Sequence, residues 1–142
     1  MQVRRIIVPL AGNGVDAEVI RVAATLAKPS KAEIIAIHVI EVRWNMPLDA
    51  VLDAETERGE SLLDEAAKIA QELGVNFETE LLQAREAAAA IVDTAREHKA
   101  DLIVLGMPFR RRLGRVYVGR TVQDVYVEAP CAVLAYRQEE TK

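Results

Sequence analysis

Leu102-Ile103-Val104-Leu105-Gly106 is an apolar run closed by a glycine. It leads into the basic stretch Met107-Pro108-Phe109-Arg110-Arg111-Arg112-Leu113-Gly114-Arg115-Val116-Tyr117-Val118, and that stretch into Gly119-Arg120-Thr121. Four consecutive apolar residues with no polar alternate are what a strand covered on both faces requires, the condition of a strand inside a parallel sheet. Gly106 reads as the residue that lets the backbone turn at the strand end. Gly119 reads as the one that lets backbone N–H groups approach an oxyanion at a helix N-terminus. The arginines add charge and bidentate geometry, and the Thr121 hydroxyl adds a further hydrogen bond. In outline this is a phosphate site, and Met107 to Val118, which has no period of its own, reads as its loop.

Outward from that stretch, short apolar runs alternate with segments of helical period. Ile6-Ile7-Val8 is ended by Pro9 and the Gly12-Asn13-Gly14 turn, and Val15 to Ala27 then repeats apolar residues at helical spacing. Asn13 is placed to cap that helix, with Asp16 three residues on in the acidic position of a capping box. Lys28-Pro29-Ser30 stops it. Ile34 to Val39 is a second strand, and Pro47 is suited to a first helical position. The pattern from Leu48 to Leu73 reads as one long helix or two, because Gly59 interrupts it; Gly74 supplies the stop. Phe77-Glu78-Thr79-Glu80-Leu81 alternates and so reads as an edge strand. Glu86 to His98 and Gly119 to Glu128 are helices, Cys131 to Tyr136 is the last strand, and Arg137 to Lys142 is a polar tail. Five strands alternating with four helical segments predict an open parallel sheet between helix layers, in one domain spanning 1–142. Ligands of such sheets bind outside the carboxyl ends of the strands, where the segments after Val8, Val39 and Leu105 converge.

Composition narrows the function. The chain has 142 residues, an apolar content of 51% and a net charge of −4, which argue for a packed core and against a general nucleic-acid binder. Acidic residues crowd the stretch from Asp49 to Glu86, mostly as the wet face of the long helical segment, while the arginines cluster between Arg110 and Arg120. A locally basic loop on an acidic protein points to a small anionic ligand or an acidic partner surface. Cys131 is the single cysteine, so a reducing cytoplasm is the natural compartment. No apolar run approaches the ~20 residues that span a bilayer, and the residues before Ile6 do not form a leader. There is no Ser-His-Asp arrangement, no metal-ligand spacing and no Walker pattern, and the sequence predicts a binding protein and not an enzyme. His38 has no matched nucleophile and reads as a structural strand-end residue. Trp44 and Met46, in the loop after the second strand, suit either cover of a ligand cleft or helix packing.

The chain resembles the universal stress protein family over nearly its whole length. The resemblance is carried by Ile6-Ile7-Val8-Pro9 followed by Gly12, by His38-Val39 at the end of the second strand, and by Ala100-Asp101-Leu102-Ile103-Val104-Leu105-Gly106. Gly119-Arg120-Thr121 and Ala129-Pro130-Cys131-Ala132-Val133-Leu134 complete it. It implies a Rossmann-like fold of the adenine-nucleotide alpha hydrolase-like kind, a homodimer joined by the last strand, a role in stress response, and ATP or AMP as ligand in the family's binding branch. Pro9, Ala11, Gly12, Val39, Gly106, Phe109, Arg110, Gly119, Arg120 and Thr121 are then the candidate ligand-binding residues. That branch resembles Gly-x-x-Gly, nine residues, then Gly-Ser or Gly-Thr, and Gly106 and Gly119 fall in its register, with Arg110 to Val118 between. Ala11 stands where the branch typically has an aspartate, Phe109 takes the second glycine's place and Arg120 takes that of the hydroxyl residue. These departures predict that MgATP binds weakly or not at all. Phe109 is either a loop aromatic packed on the core or a platform at the ligand site. Gly-Met-Pro-Phe-Arg-Arg-Arg also looks like domains of this family fused behind amino-acid permeases. The alternative to a nucleotide-binding regulatory protein is therefore a ligand-free interaction module that contacts a transporter or kinase.

Overall fold

A computed structural model of the chain describes residues 1–109, 111–112, 115–116 and 118–140, without the side chains of 111, 112, 115 and 116. In chain order these form β1 (Arg5–Pro9), α1 (Asp16–Ala27), a 3-10 turn (Lys28–Ser30), β2 (Glu33–Glu41), α2 (Asp53–Leu73), β3 (Asn76–Ala84), α3 (Ala87–Glu97) and β4 (Leu102–Met107). The pair β5 (Arg111–Arg112) and β6 (Arg115–Val116), then α4 (Arg120–Glu128) and β7 (Ala132–Arg137), complete the chain.

The five long strands make one sheet in the order β3-β2-β1-β4-β7, and every pairing in it is parallel. This is the open parallel sheet with helices on both faces that the alternation predicts, and the Rossmann-like fold that the resemblance implies. Side chains alternate across each strand, so Ile6 and Val8 face one way and Ile7 the other. Ile6, Val8, Ile34, Ala36 and Val104 pack under α1 and α2, against Val19, Ile20, Leu63 and Ala66. Ile7, Ile35, Ile37 and Ile103 pack under α3 and α4, against Ala88, Ile91, Val122 and Val125. Each isoleucine removed from water in this way contributes about 1.5–3 kcal/mol.

Some boundaries differ from the expected ones. Helix α2 begins at Asp53; Pro47 to Ala50 is instead a turn, closed by Ala50 N–H donating to the Pro47 carbonyl at 3.0 Å. Gly59 does not divide α2, which runs unbroken over its 21 residues. The glycine serves packing: a Cβ there would stand 2.6 Å from Leu81 Cδ1 and 3.2 Å from His38 Cδ2. The expected loop contains the antiparallel pair β5 and β6, two residues each and too short to show a period. Arg137 belongs to β7 and not to a tail, and the following Gln138 N–H still bonds the Met107 carbonyl at 2.9 Å. β3 lies at one edge as expected, and β7 at the other.

Candidate functional site

In the order β3-β2-β1-β4-β7 the chain moves one way from β1 to β2 and the other way to β4, so the sheet has its switch point between β1 and β4. Loops from the carboxyl ends of both strands must part there. The first, Leu10 to Val15, is pinned from three sides. Leu10 N–H donates to the Ile37 carbonyl at 2.8 Å. His38 Nδ1 lies 2.7 Å from the Leu10 carbonyl, and since a carbonyl only accepts, Nδ1 carries the proton and donates. Asp16 then reaches back from the first turn of α1: its carboxylate accepts from Ala11 N–H at 3.2 Å and from Gly12 N–H at 2.8 Å. Gly12 sits at φ +84°, a conformation that favours glycine.

That geometry replaces the expected capping box. Asn13 Oδ1 accepts from Val15 N–H at 3.1 Å without capping the helix, and Asp16 serves the strand-end turn. Burial raises the Asp16 carboxyl above its ordinary value, against the opposing pull of those two amides and of His38. The turn amides at 11 and 12 are thus already committed to an internal acid. The spacing of Asn13 and Asp16 marked both residues in the sequence, but it did not tell which way the carboxylate turns.

At the other side of the switch point, Gly106 does not turn the chain, because β4 continues through Met107. Its missing side chain makes room for α1: a Cβ would lie 2.2 Å from Val19 Cγ2 and 3.2 Å from Val15 Cγ1. Gly119 is the N-cap of α4 in an ordinary extended conformation, φ −61° and ψ 153°. No atom of the described residues lies within 4 Å of where its Cβ would be, so among them nothing covers the start of α4. Helix α4 has no side-chain cap and no acid in its first turn. The N–H groups of that turn therefore keep their partial positive charge for an external acceptor. Arg120 adds a full charge; its side chain is 92% exposed, with Asp124 Oδ2 at 3.6 Å.

Two adjoining cavities occupy this end of the sheet. The inner, of about 250 Å³, has walls from Pro9, Ile37, Val39, Ile91, Leu105 and Val122. The outer, of about 480 Å³, is lined by Gly12, Asn13, Pro108, Gly119 and Arg120. Ala11, Gly106, Thr121 and Val122 line both. The structure thus brings together Pro9, Ala11, Gly12, Val39, Gly106, Gly119, Arg120 and Thr121. Phe109 lines neither cavity: its N–H donates to Gln138 Oε1 at 3.3 Å, and the Arg137 guanidinium stacks on its ring at 4.9 Å. Arg110 lies outside the described residues.

Two further residues face the cleft: Glu41, which carried no signal in the sequence, and His38, which read there as a structural strand-end residue. Glu41, at the end of β2, lines the inner cavity and accepts from Ala87 N–H at 3.1 Å, capping α3 from another element. His38 lines both the inner cavity and a third, open depression of about 800 Å³ toward Arg58 and Ser61 of α2. No cluster of three or more His, Cys, Asp or Glu side chains suited to a metal occurs among the described residues, and no helix among them is long and apolar enough to cross a membrane.

Comparison with known proteins gives a consistent result. The model of the universal stress protein family matches residues 2–137. A universal stress protein of Methanocaldococcus jannaschii is 33% identical over 141 residues, covering 95% of this chain and 82% of that protein. The universal stress protein of Archaeoglobus fulgidus in complex with dAMP superposes with a TM-score of 0.75 at 26% identity, covering 95% of this chain and 98% of that one. A Na(+)/H(+) antiporter of Synechocystis is 28% identical over 134 residues, which are 93% of this chain and 19% of the antiporter.

Proposed function

The chain belongs to the universal stress protein family, and on that ground we propose that it is a regulatory binding protein acting in the cytoplasm in stress response. Its ligand is an adenine nucleotide or another small phosphate-bearing molecule, held in the cleft at the carboxyl ends of β1, β2 and β4. The observation that carries this reading is the N-terminus of α4, without a side-chain cap, which opens into a cavity that shares Ala11, Gly106, Thr121 and Val122 with an apolar one. The inner cavity suits a flat base between Val39, Ile91 and Leu105. The outer suits an anion on the amides of Gly119 to Val122, with Arg120 and Thr121 beside it. The dAMP complex of the Archaeoglobus relative supports a nucleotide in particular.

Since Asp16 holds the amides of Ala11 and Gly12, the phosphate must rely on α4 alone. A monophosphate therefore fits this site better than a triphosphate with its metal. Mass spectrometry of small molecules released on denaturation, followed by calorimetric titration with AMP, dAMP and MgATP, tests both statements. The expected result is binding of a monophosphate, with MgATP weaker than about 10 μM, or roughly −7 kcal/mol. Tighter MgATP binding would refute the preference, and no binding of any nucleotide or phosphate would refute the function. That last outcome would favour the second reading, a ligand-free module contacting a membrane transporter, which draws on the similarity to part of the antiporter.

The same proposal includes a homodimer along β7. That strand is an edge with unpaired backbone groups, and Ala132, Ala135 and Arg137 on it are exposed.

A further inference from the structure

Across α3 from the cleft, between that helix and edge strand β3, lies a groove of about 530 Å³ that shares no lining residue with the cleft. Its apolar wall is Trp44 and Leu48, 77% and 48% exposed, continued by Leu82, Ala89 and Ala90. Large apolar side chains held in water are informative only when something fixes them there. Here two side chains of the β3 end fix them. Arg85 donates to the carbonyls of Val42, Arg43 and Met46 at 3.5, 2.6 and 2.8 Å, and its guanidinium stacks on the Trp44 ring at 4.9 Å. Gln83 Nε2 lies 3.0 Å from the Leu48 carbonyl and 3.1 Å from the Ala50 carbonyl. The wall is therefore preorganised and does not have to be ordered by whatever docks on it.

The opposite wall is acidic. Glu86, Asp93 and Glu97 line the groove, all exposed, and none of them forms an ion pair with a described residue. Asp93 and Glu97, four residues apart on α3, lie about 40° and about 6 Å from one another, and Glu86 is the extended N-cap residue at the start of the same helix. Arg85 is the one cation among the described lining residues, and its charge is turned into the 42–46 loop. An apolar floor beside three carboxylates, none paired with a described residue, is complementary to one kind of surface. We propose that this groove docks an amphipathic helix of a partner protein, with its apolar stripe on Trp44, Leu48 and Leu82 and a ridge of Lys or Arg facing Glu86, Asp93 and Glu97.

Trp44 is the only tryptophan of the chain, so its fluorescence reports on this groove alone. The probe is a designed Lys/Leu amphipathic peptide titrated into the whole protein, with a Glu/Leu peptide of the same pattern for comparison. The expected result is a blue shift of Trp44 emission with the basic peptide only, weakening as salt rises. The double variant Asp93→Lys/Glu97→Lys should lose about tenfold or more in affinity. The variant Asp64→Lys/Glu72→Lys changes the net charge equally on the exposed face of α2 and should bind within about twofold of the parent. Equal loss in both variants would mean nonspecific attraction and overturn the proposal, as would an unshifted Trp44 or equal binding of the acidic peptide. A shift that follows protein concentration without peptide, together with a growing sedimentation coefficient, would overturn it in favour of a second copy of this chain. All four substitutions are at exposed positions, and matching melting curves of the two variants check that both are folded.

Discussion

Gly119 shows how a single residue can serve binding at a small expense in stability. Its backbone is one that any residue adopts, and a Cβ there would meet no atom of the described residues. Only the opening above α4 depends on its being glycine. Gly119→Asp should therefore have opposite effects on the two properties. The carboxylate caps α4 and raises stability by a few tenths of a kcal/mol, since glycine is itself a tolerable cap. The same carboxylate repels an anion at the helix N-terminus and should lower phosphate or nucleotide affinity by about tenfold or more. Thermal melting alongside AMP titration reads both; unchanged affinity would move the anion away from this turn. Gly106, four residues after the apolar run begins, teaches the reverse lesson. The sequence marks it as special, but the reason lies in Val15 and Val19, some 90 residues away in the chain. No local pattern carries that information.

Among the elements, those buried on both faces were the legible ones. β1, β2 and β4 are continuous apolar runs because helices cover them above and below, and the stripes of α1 and α3 follow from facing one sheet surface each. The start of α2 was not legible. Leu48 and Val51 stand at helical spacing, and Pro47 is an acceptable first residue, yet long-range hydrogen bonds from Gln83 and Arg85 hold that segment out of the helix. The two edges differ in the same way. β3 shows its exposure by alternation, whereas β7 is apolar up to Tyr136 and carries half-buried Val133 and Leu134 with exposed Ala132 and Ala135. If β7 joins two copies, Ala135→Lys should shift the sedimentation equilibrium toward monomer with little loss of fold, because the substitution avoids the packed Val133. A dimer that persists unchanged would place the interface on another surface.

For the molecule as a whole, the parallel sheet and the position of the cleft follow from the alternation of elements and the switch-point rule. The reach of Asp16 and the cap supplied by Glu41 do not, because both join groups from different turns or elements. A third such link closes the sheet at its opposite end. Asp101, just before β4, accepts from Arg4 N–H at 2.7 Å and from Arg5 N–H at 3.0 Å. These bonds lower its carboxyl below the ordinary 3.8. A carboxyl lowered on folding adds stability that is complete above pH 3.8 and is lost as pH falls through its folded value. Asp101→Asn should accordingly lower stability at neutral pH by about 1–2 kcal/mol. Denaturant unfolding should show the gap between variant and parent closing below pH 3.8; a gap that is independent of pH would mean the charge has no part in it.

The strand order also bears on how the chain is made. β1 is the first strand to be synthesised and the middle one of the finished sheet, with β2 on one side and β4 on the other. Until Leu102 and Ile103 arrive to pair with Ile6 and Ile7, a chain growing from the ribosome can complete only the half-sheet β1-β2-β3. Its open side is then the central strand Ile6-Ile7-Val8, wholly buried in the finished fold, and unpaired apolar strands of this kind are the sites at which nascent chains associate with one another. Through that interval the edge of β1 lacks the partner that β4 supplies in the completed sheet.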